Sequence, residues 1–209
     1  MQHDLVWKFA EDYLEEPPAI AVARQHSVEL GIEAATPGTG AQLRLVASAI
    51  GARAILEIGT GAGVSGLYLF EGAPEAVLTT IDVEPDHQAH ARTAFAAAGI
   101  AANRQRFIAG RALNVLPRMN DGAYDLVLVD ADPGGVLAYV EHALRTVRAG
   151  GVVLVDHVLQ EGRVADPAQR GDELTDYRAL LETVQDSAAV TVALSTAGDG
   201  LLQLVKRGA

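Results

Sequence analysis

Ala54-Ile-Leu-Glu-Ile-Gly-Thr-Gly-Ala-Gly-Val-Ser65 is the stretch that decides the fold. It opens as an apolar run holding one acid, Glu57, and breaks into a turn where Gly59, Gly61 and Gly63 alternate. Glycine admits positive φ angles and lets the backbone approach a ligand closely. A strand that empties into such a turn and then into a helix is the opening of a βαβ unit, with the ligand at the strand's carboxyl end.

Outward from that stretch the same alternation continues. Residues 54–58, 77–82, 106–109, 126–130 and 152–156 read as strands, and runs this continuously apolar fit strands covered on both faces by helices. Val136, Val140, Ala143, Leu144 and Val147 form one helical stripe, and Leu174, Tyr177, Leu181 and Val184 another. Pro85 and Gly99 bracket an alanine-rich helix. Residues 190–194 and 201–205 are separated by a turn containing Gly198-Asp199-Gly200, with no room for a helix, so they pair as an antiparallel hairpin. The expectation is α/β: a doubly wound, mostly parallel seven-stranded sheet with one reversed strand near an edge. Upstream, 4–14, 18–30 and 38–50 read as helices, interrupted by Pro17-Pro18 and by 34–40. They are expected to cap the ligand end of a single domain, with 1–50 as the helical cap and 53–209 as the α/β core.

The 209 residues, 49% of them apolar, suffice for one well-filled core. A formal net charge of -11 argues against nucleic acid or anionic membrane as the main partner. Without cysteine, disulfides, thiolate metal sites and cysteine nucleophiles are excluded. Asp4, Lys8, Glu11 and Asp12 interrupt the N-terminal stretch, and no run approaches the roughly 20 apolar residues of a membrane span. The expected location is the cytoplasm.

Four acids stand at the predicted strand ends: Glu57, Asp82, Asp130 and Asp156. Asp82 follows the glycine turn at the spacing where an acid accepts ribose hydroxyls. Gly61-Ala-Gly63-Val-Ser-Gly66 satisfies G-x-G-x-x-G literally, which leaves a nicotinamide cofactor open. A pyrophosphate, however, brings two negative charges toward Glu57 and Asp130 in a partly desolvated cleft. S-adenosylmethionine brings a sulfonium and an ammonium instead, and acidic strand ends suit it.

At this point the chain resembles the cation-dependent O-methyltransferases of the catechol and caffeoyl-coenzyme A type, including their small bacterial members. The resemblance runs from about Ala35 to Lys206. It rests on Leu56-Glu-Ile-Gly-Thr-Gly-Ala-Gly, Ile81-Asp-Val-Glu, Gly110-Arg-Ala-Leu-Asn-Val-Leu-Pro, Leu128-Val-Asp-Ala-Asp, Gly150-Gly-Val-Val-Leu-Val-Asp and Gly198-Asp-Gly-Leu. It implies a Rossmann-like class I methyltransferase acting on a hydroxyl of a small molecule, with catechol-like acceptors among the candidates. By the same resemblance Glu57, Gly59, Thr60, Gly61 and Ser65 line the methionine half of S-adenosyl-L-methionine, and Ala35 meets it through its backbone. Asp82 holds the ribose, Val83 lies against the adenine, and Arg111 and Ala112 border its edge, although relatives often carry an acid at the Arg111 position. Asp130 reaches both the cofactor's amino group and the metal. A homodimer is implied as well.

Two positions depart from that pattern. Asp130 and Asp156 match two carboxylate ligands of a hard cation such as Mg or Ca, but His157 stands where asparagine is usual. Imidazole shifts the preference toward Mn, Zn or other borderline metals. Pro133 replaces a lysine that serves relatives as general base, and proline cannot move a proton. The catalytic candidates are therefore Asp130 and His157, with Asp132, a metal-bound hydroxide or the substrate's own ionisation left open as the source of the base. The alternatives are an NAD-dependent oxidoreductase and a non-catalytic S-adenosylmethionine-binding protein. His87, His90 and His142 fall on predicted helices and read as solvated surface groups. Trp7 reads as a packing or dimer contact, with a place beside the substrate as the other option. The acceptor would be chosen by the N-terminal helices and the loop at 160–171.

Overall fold

The computed structural model describes residues 2–208. Three helices come first: α1 (Gln2–Glu11), α2 (Pro18–Leu30) and α3 (Pro37–Ala49). Strand and helix then alternate through β1 (Ala54–Ile58), α4 (Val64–Gly72), β2 (Val77–Asp82), α5 (Pro85–Ala97), β3 (Gln105–Ala109), α6 (Ala112–Val115), β4 (Tyr124–Val129), α7 (Val136–Thr146), β5 (Val147–Val155) and α8 (Asp172–Gln185). The hairpin of β6 (Val190–Ser195) and β7 (Leu201–Lys206) closes the fold.

The seven strands lie in the order β3-β2-β1-β4-β5-β7-β6. The first five are parallel, and β7 runs antiparallel to both β5 and β6. The reversed strand expected near an edge is thus β7, next to the last position. Chain order reverses at β1, which has β2 on one side and β4 on the other, and in open α/β sheets a ligand binds beyond that switch.

Period-two alternation divides the core. Leu56, Ile58, Val127, Val129, Val153 and Val155 face α7 and α8, where Val140, Ala143, Tyr177 and Leu180 cover them. Ile55, Leu78, Leu126, Leu128 and Leu154 face the other way, against Leu43, Leu67, Leu69 and Phe95. Each central strand is buried on both faces, which is why its sequence reads as an uninterrupted apolar run. β5 starts earlier than its apolar residues announce. Its pairing with β4 shifts register between Tyr124 and Leu126, absorbing the stretch Arg148-Ala-Gly-Gly151 as an irregularity rather than a loop.

α1 is pinned over the carboxyl ends of the strands by two side chains, Glu11 and Trp7. Glu11 is buried, its Oε2 accepting the Gly38 N–H at 2.7 Å and its Oε1 the Gly198 N–H at 2.9 Å. Trp7 Nε1 donates to the Gly198 carbonyl at 3.3 Å. The N-terminal cap is therefore tied both to the start of α3 and to the β6–β7 turn.

Candidate active site

A cavity of about 750 Å³ opens at the switch point. Ala35, Gly59, Thr60, Gly61, Ser65, Asp82, Val83, Arg111, Ala112 and Asp130 all line it, so the topology gathers them from six separate segments. Glu57 is the exception among the expected cofactor contacts. The strand alternation that points Leu56 and Ile58 toward α7 and α8 turns Glu57 toward α4. Fully buried there, its Oε1 accepts from Ser65 Oγ at 2.7 Å and its Oε2 from Thr80 Oγ1 at 2.6 Å, and Thr80 Oγ1 in turn meets Thr60 Oγ1 at 2.7 Å. Glu57 itself is not among the residues that line the cavity; it stands behind the wall, bonded to the hydroxyls of Ser65 and Thr80.

Burial pushes the Glu57 carboxyl up to about 8, against the two hydroxyl donors, with Asp130 and Asp82 adding to the rise. A neutral Glu57 does not repel phosphates as the sequence argument required. Glu33, Asp82, Glu84 and Asp132 carry that function, since all line the cavity and among its lining residues only Arg111 opposes them in sign. The shift also fixes a pH dependence. The folded chain keeps a proton that the unfolded chain releases above 4.5, so this group's contribution is fullest below 4.5 and is lost as pH rises toward 8. The slope is at most about 1.4 kcal/mol per pH unit. Glu57→Gln is expected to flatten it, measured as urea midpoints of both proteins from pH 5 to 8.5; parallel curves would mean that Glu57 is ionised when folded.

Asp82 braces the glycine turn. Its Oδ2 accepts the Thr60 and Gly61 N–H groups at 2.9 and 3.0 Å, and its Oδ1 accepts the Glu84 N–H at 2.9 Å. His87, read from sequence as a surface group, instead sits half-buried on the cavity with Nδ1 3.8 Å from Asp82 Oδ1. His90 packs edge-on against His26.

Beside the cavity Asp130, Asp156 and His157 bring one donor atom each to within 4.8 Å of one another. The two acids follow β4 and β5, and the adjacency of those strands places them side by side. Asp156 Oδ1 accepts the His157 N–H at 2.9 Å and faces Thr39 Oγ1 of α3 at 3.5 Å. His157 has φ 56°, a left-handed conformation that asparagine, aspartate and histidine enter more readily than other side chains. The next two amides hold it there: Val158 N–H donates to the Gly200 carbonyl at 3.1 Å and Leu159 N–H to that of Asp199 at 2.9 Å. Asp156 Oδ2 and both imidazole nitrogens are buried with no hydrogen-bond partner. His157 Nε2 lies 3.7 Å from Asp156 Oδ2 and 3.9 Å from Asp130 Oδ1, while Nδ1 lies 3.7 Å from Glu33 Oε1 and 4.0 Å from Asp199 Oδ2. Burial raises the Asp130 and Asp156 carboxyls, and Asp156 raises Asp130 further. Burial alone would lower the imidazolium, but Asp156, Asp130, Glu33 and Asp199 outweigh it and raise it. Such a cluster favours a positive charge at its centre.

Across the cavity Tyr139 Oη donates to Asp132 Oδ1 at 2.6 Å. Pro133 opens a one-turn 3₁₀ segment, Pro133–Gly135, and a Cβ at Gly135 would overlap the Tyr139 ring. The segment that replaces the usual lysine thus lets Tyr139 reach Asp132. Asp132 was named from the sequence as a source of the base; Glu33 and the Tyr139 partner of Asp132 escaped the sequence reading of the site. Asp199 was legible only as the centre of the Gly198-Asp-Gly turn.

The sequence profile of the O-methyltransferase family matches residues 13–207. A Mycobacterium tuberculosis protein named "Probable O-methyltransferase" is 44% identical over 202 residues, 96% of this chain and 90% of its own length. Among solved structures, a Corynebacterium glutamicum protein superimposes with a TM-score of 0.91 at 29% identity, covering 100% of this chain and 99% of that one. TomG from Streptomyces achromogenes, an O-methyltransferase of tomaymycin synthesis in complex with S-adenosylmethionine, gives 0.84 at 31% identity over 96% and 95%.

Proposed function

The chain belongs to the O-methyltransferase family, and from that premise we propose that it methylates a small-molecule hydroxyl flanked by a second oxygen, a catechol-like acceptor, at a divalent cation held by Asp130, Asp156 and His157. It is an S-adenosylmethionine-dependent O-methyltransferase. The NAD reading finds no support in these relatives.

Within the cavity, the acid lining supports placing the cofactor's cation against Asp130, with Gly59, Thr60, Gly61, Ser65 and the backbone of Ala35 around its methionine half. Asp82 keeps acceptor lone pairs beside its three backbone bonds, which suits ribose hydroxyls. Val83 is half exposed and offers an apolar face to the adenine, bordered by Arg111 and Ala112. S-adenosylmethionine supplies the methyl group from its sulfonium centre.

The observation that carries the metal reading is the set of orphaned atoms. Asp156 Oδ2 and two imidazole nitrogens are buried without partners beside Asp130, and leaving such groups unpaired is costly. Two carboxylates and an imidazole fit a divalent cation, with Mn or Zn favoured over Mg or Ca. Such an ion would orient a diol and lower the pKa of its hydroxyl. With His157 holding such an ion, Asp132, which lines the cavity and whose Oδ1 accepts from Tyr139 Oη, would take the hydroxyl proton. The acceptor oxygen then attacks the methyl carbon in line and the sulfur leaves as a neutral thioether.

The test is calorimetry with S-adenosylhomocysteine and with NAD, followed by methyl transfer to a catechol panel with Mg, Mn or no added metal. Binding of the homocysteine ligand and Mn-stimulated transfer are expected. Affinity for NAD alone would overturn the reading. Binding with no transfer to any diol would favour a non-catalytic form.

The same proposal includes a homodimer. Leu5, Val6, Phe9, Tyr13 and Val22 leave an apolar face exposed on α1, α2 and the segment between them, and sedimentation would show a single-chain mass if that face stays uncovered. It also includes residence in the cytoplasm, checked by cell fractionation. Among the described residues no helix is long and apolar enough to cross a membrane.

A further inference from the structure

Acids outnumber bases in this chain by 27 to 16, so a guanidinium with no partner is the exception. Among the described residues Arg24, Arg44, Arg104, Arg145 and Arg148 form ion pairs, and Arg92 lies over the Phe107 ring. Arg163, Arg170, Arg178 and Arg207 donate to carbonyl or hydroxyl oxygens. Among the described residues only the side chains of Arg53, Arg106, Arg111 and Arg118 have no such contact. Arg111 lines the cavity at the carboxyl ends of the strands. The other three converge on one second cavity of about 390 Å³ at the opposite end of the sheet.

They arrive from three places: Arg53 precedes β1, Arg106 is on β3, and Arg118 ends the 3₁₀ turn Leu116–Arg118. Pairing of β2 with β3 sets Arg106 beside Thr79, which is on the cavity wall, and Asn120 adds an amide. Val77, Met119 and Tyr124 give the wall apolar character. The adjacent acid, Asp125, is already engaged by the Arg53 and Ala54 N–H groups and by the Arg148 guanidinium. It therefore does not neutralise the three arginines.

Guanidinium forks match phosphate oxygens two at a time, and the cavity falls in the range of roughly 300–1,000 Å³ typical of small-molecule sites. The net charge of -11 repels extended polyanions at long range, while a small anion responds to the local field. We propose that Arg53, Arg106 and Arg118 form a second binding site, for a small phosphate-bearing anion of at least two negative charges. The length of β1 and β2 separates it from the methyl-transfer cavity by about 17–20 Å at ~3.3 Å per residue.

The probe is inorganic pyrophosphate, titrated by calorimetry at low salt and without added divalent metal, into protein saturated with S-adenosylhomocysteine and into Arg111→Gln. Saturable binding is expected in both, weakened about tenfold by Arg106→Gln or Arg118→Gln. Both side chains are exposed, and unchanged affinity for S-adenosylhomocysteine shows that the variants fold. Loss of pyrophosphate binding in Arg111→Gln, with none in the other variants, would move the anion to the first cavity and overturn the proposal. So would the absence of saturable binding. Arginine-dependent capture by anionic phospholipid vesicles without pyrophosphate binding would replace it with a membrane contact. The Arg111→Gln arm does not require the methyltransferase reading, so the two can fail separately.

Discussion

Asp130→Asn is expected to lower kcat/KM for methyl transfer by about three orders of magnitude, or roughly 4 kcal/mol of transition-state stabilisation. The substitution keeps the shape of the side chain and removes its charge. Asp130 lines the cofactor cavity and also lies 3.9 Å, through Oδ1, from His157 Nε2, so one charge serves two neighbours. On the proposed reading the cofactor cation would lose an acid from the cavity wall, and the candidate metal cluster would lose one of its two carboxylates. Two equilibrium measurements separate the losses: S-adenosylhomocysteine affinity by calorimetry, and Mn binding followed by electron paramagnetic resonance without cofactor. Both are expected to weaken by at least about tenfold. Asp132→Asn is the contrast, lowering kcat by about a hundredfold while leaving both affinities in place. Asp130→Asn activity within tenfold of the parent would sink the assignment of Asp130 to both partners.

Much of this site is legible in the sequence because it is built from strand ends. An acid closing an apolar run marks where β2, β4 and β5 stop, and parallel pairing then places Asp82, Asp130 and Asp156 at one edge whatever the loops do, with Glu57 one residue short of the end of β1. What the sequence conceals is facing. Glu57 also belongs to such an apolar run, yet strand parity turns it into the α4 layer, where Ser65 and Thr80 wait with hydroxyls. Glu33 and Asp199 reach His157 only because the segment before α3 and the β6–β7 turn fold over the same corner. Nothing in either local stretch announces that meeting. The three arginines of the second cavity are similarly scattered, and only the order β3-β2-β1-β4 brings them together.

Gly59→Ala is expected to be the most destructive single-methyl change in the molecule, costing more than about 4 kcal/mol of a total stability of order 5–15. Two costs combine. Gly59 has φ 97°, where an L side chain is strained by about 1–3 kcal/mol. The larger cost is steric, because a Cβ there would land inside the Asp130 carbonyl oxygen and 2.7 Å from its carbon. That carbonyl has nowhere to retreat. Asp130 N–H is bonded to the Ile58 carbonyl at 2.8 Å, and Gly59 N–H to that of Ile81 at 2.9 Å, so the overlap is relieved only by parting β1 from β4 or β2. Gly61→Ala provides the calibration. Its φ is 50°, and its nearest neighbour is the side-chain Ile32 Cγ2 at 3.3 Å, so the strain of about 1–2 kcal/mol stands nearly alone. Urea midpoints should therefore rank parent, Gly61→Ala, then Gly59→Ala, the last with a clear gap or no folded baseline. Equal midpoints for the two variants would mean that β4 yields at Asp130 without cost. The Asp130 carboxylate would then have to move with its backbone, and S-adenosylhomocysteine affinity would fall in Gly59→Ala but hold in Gly61→Ala.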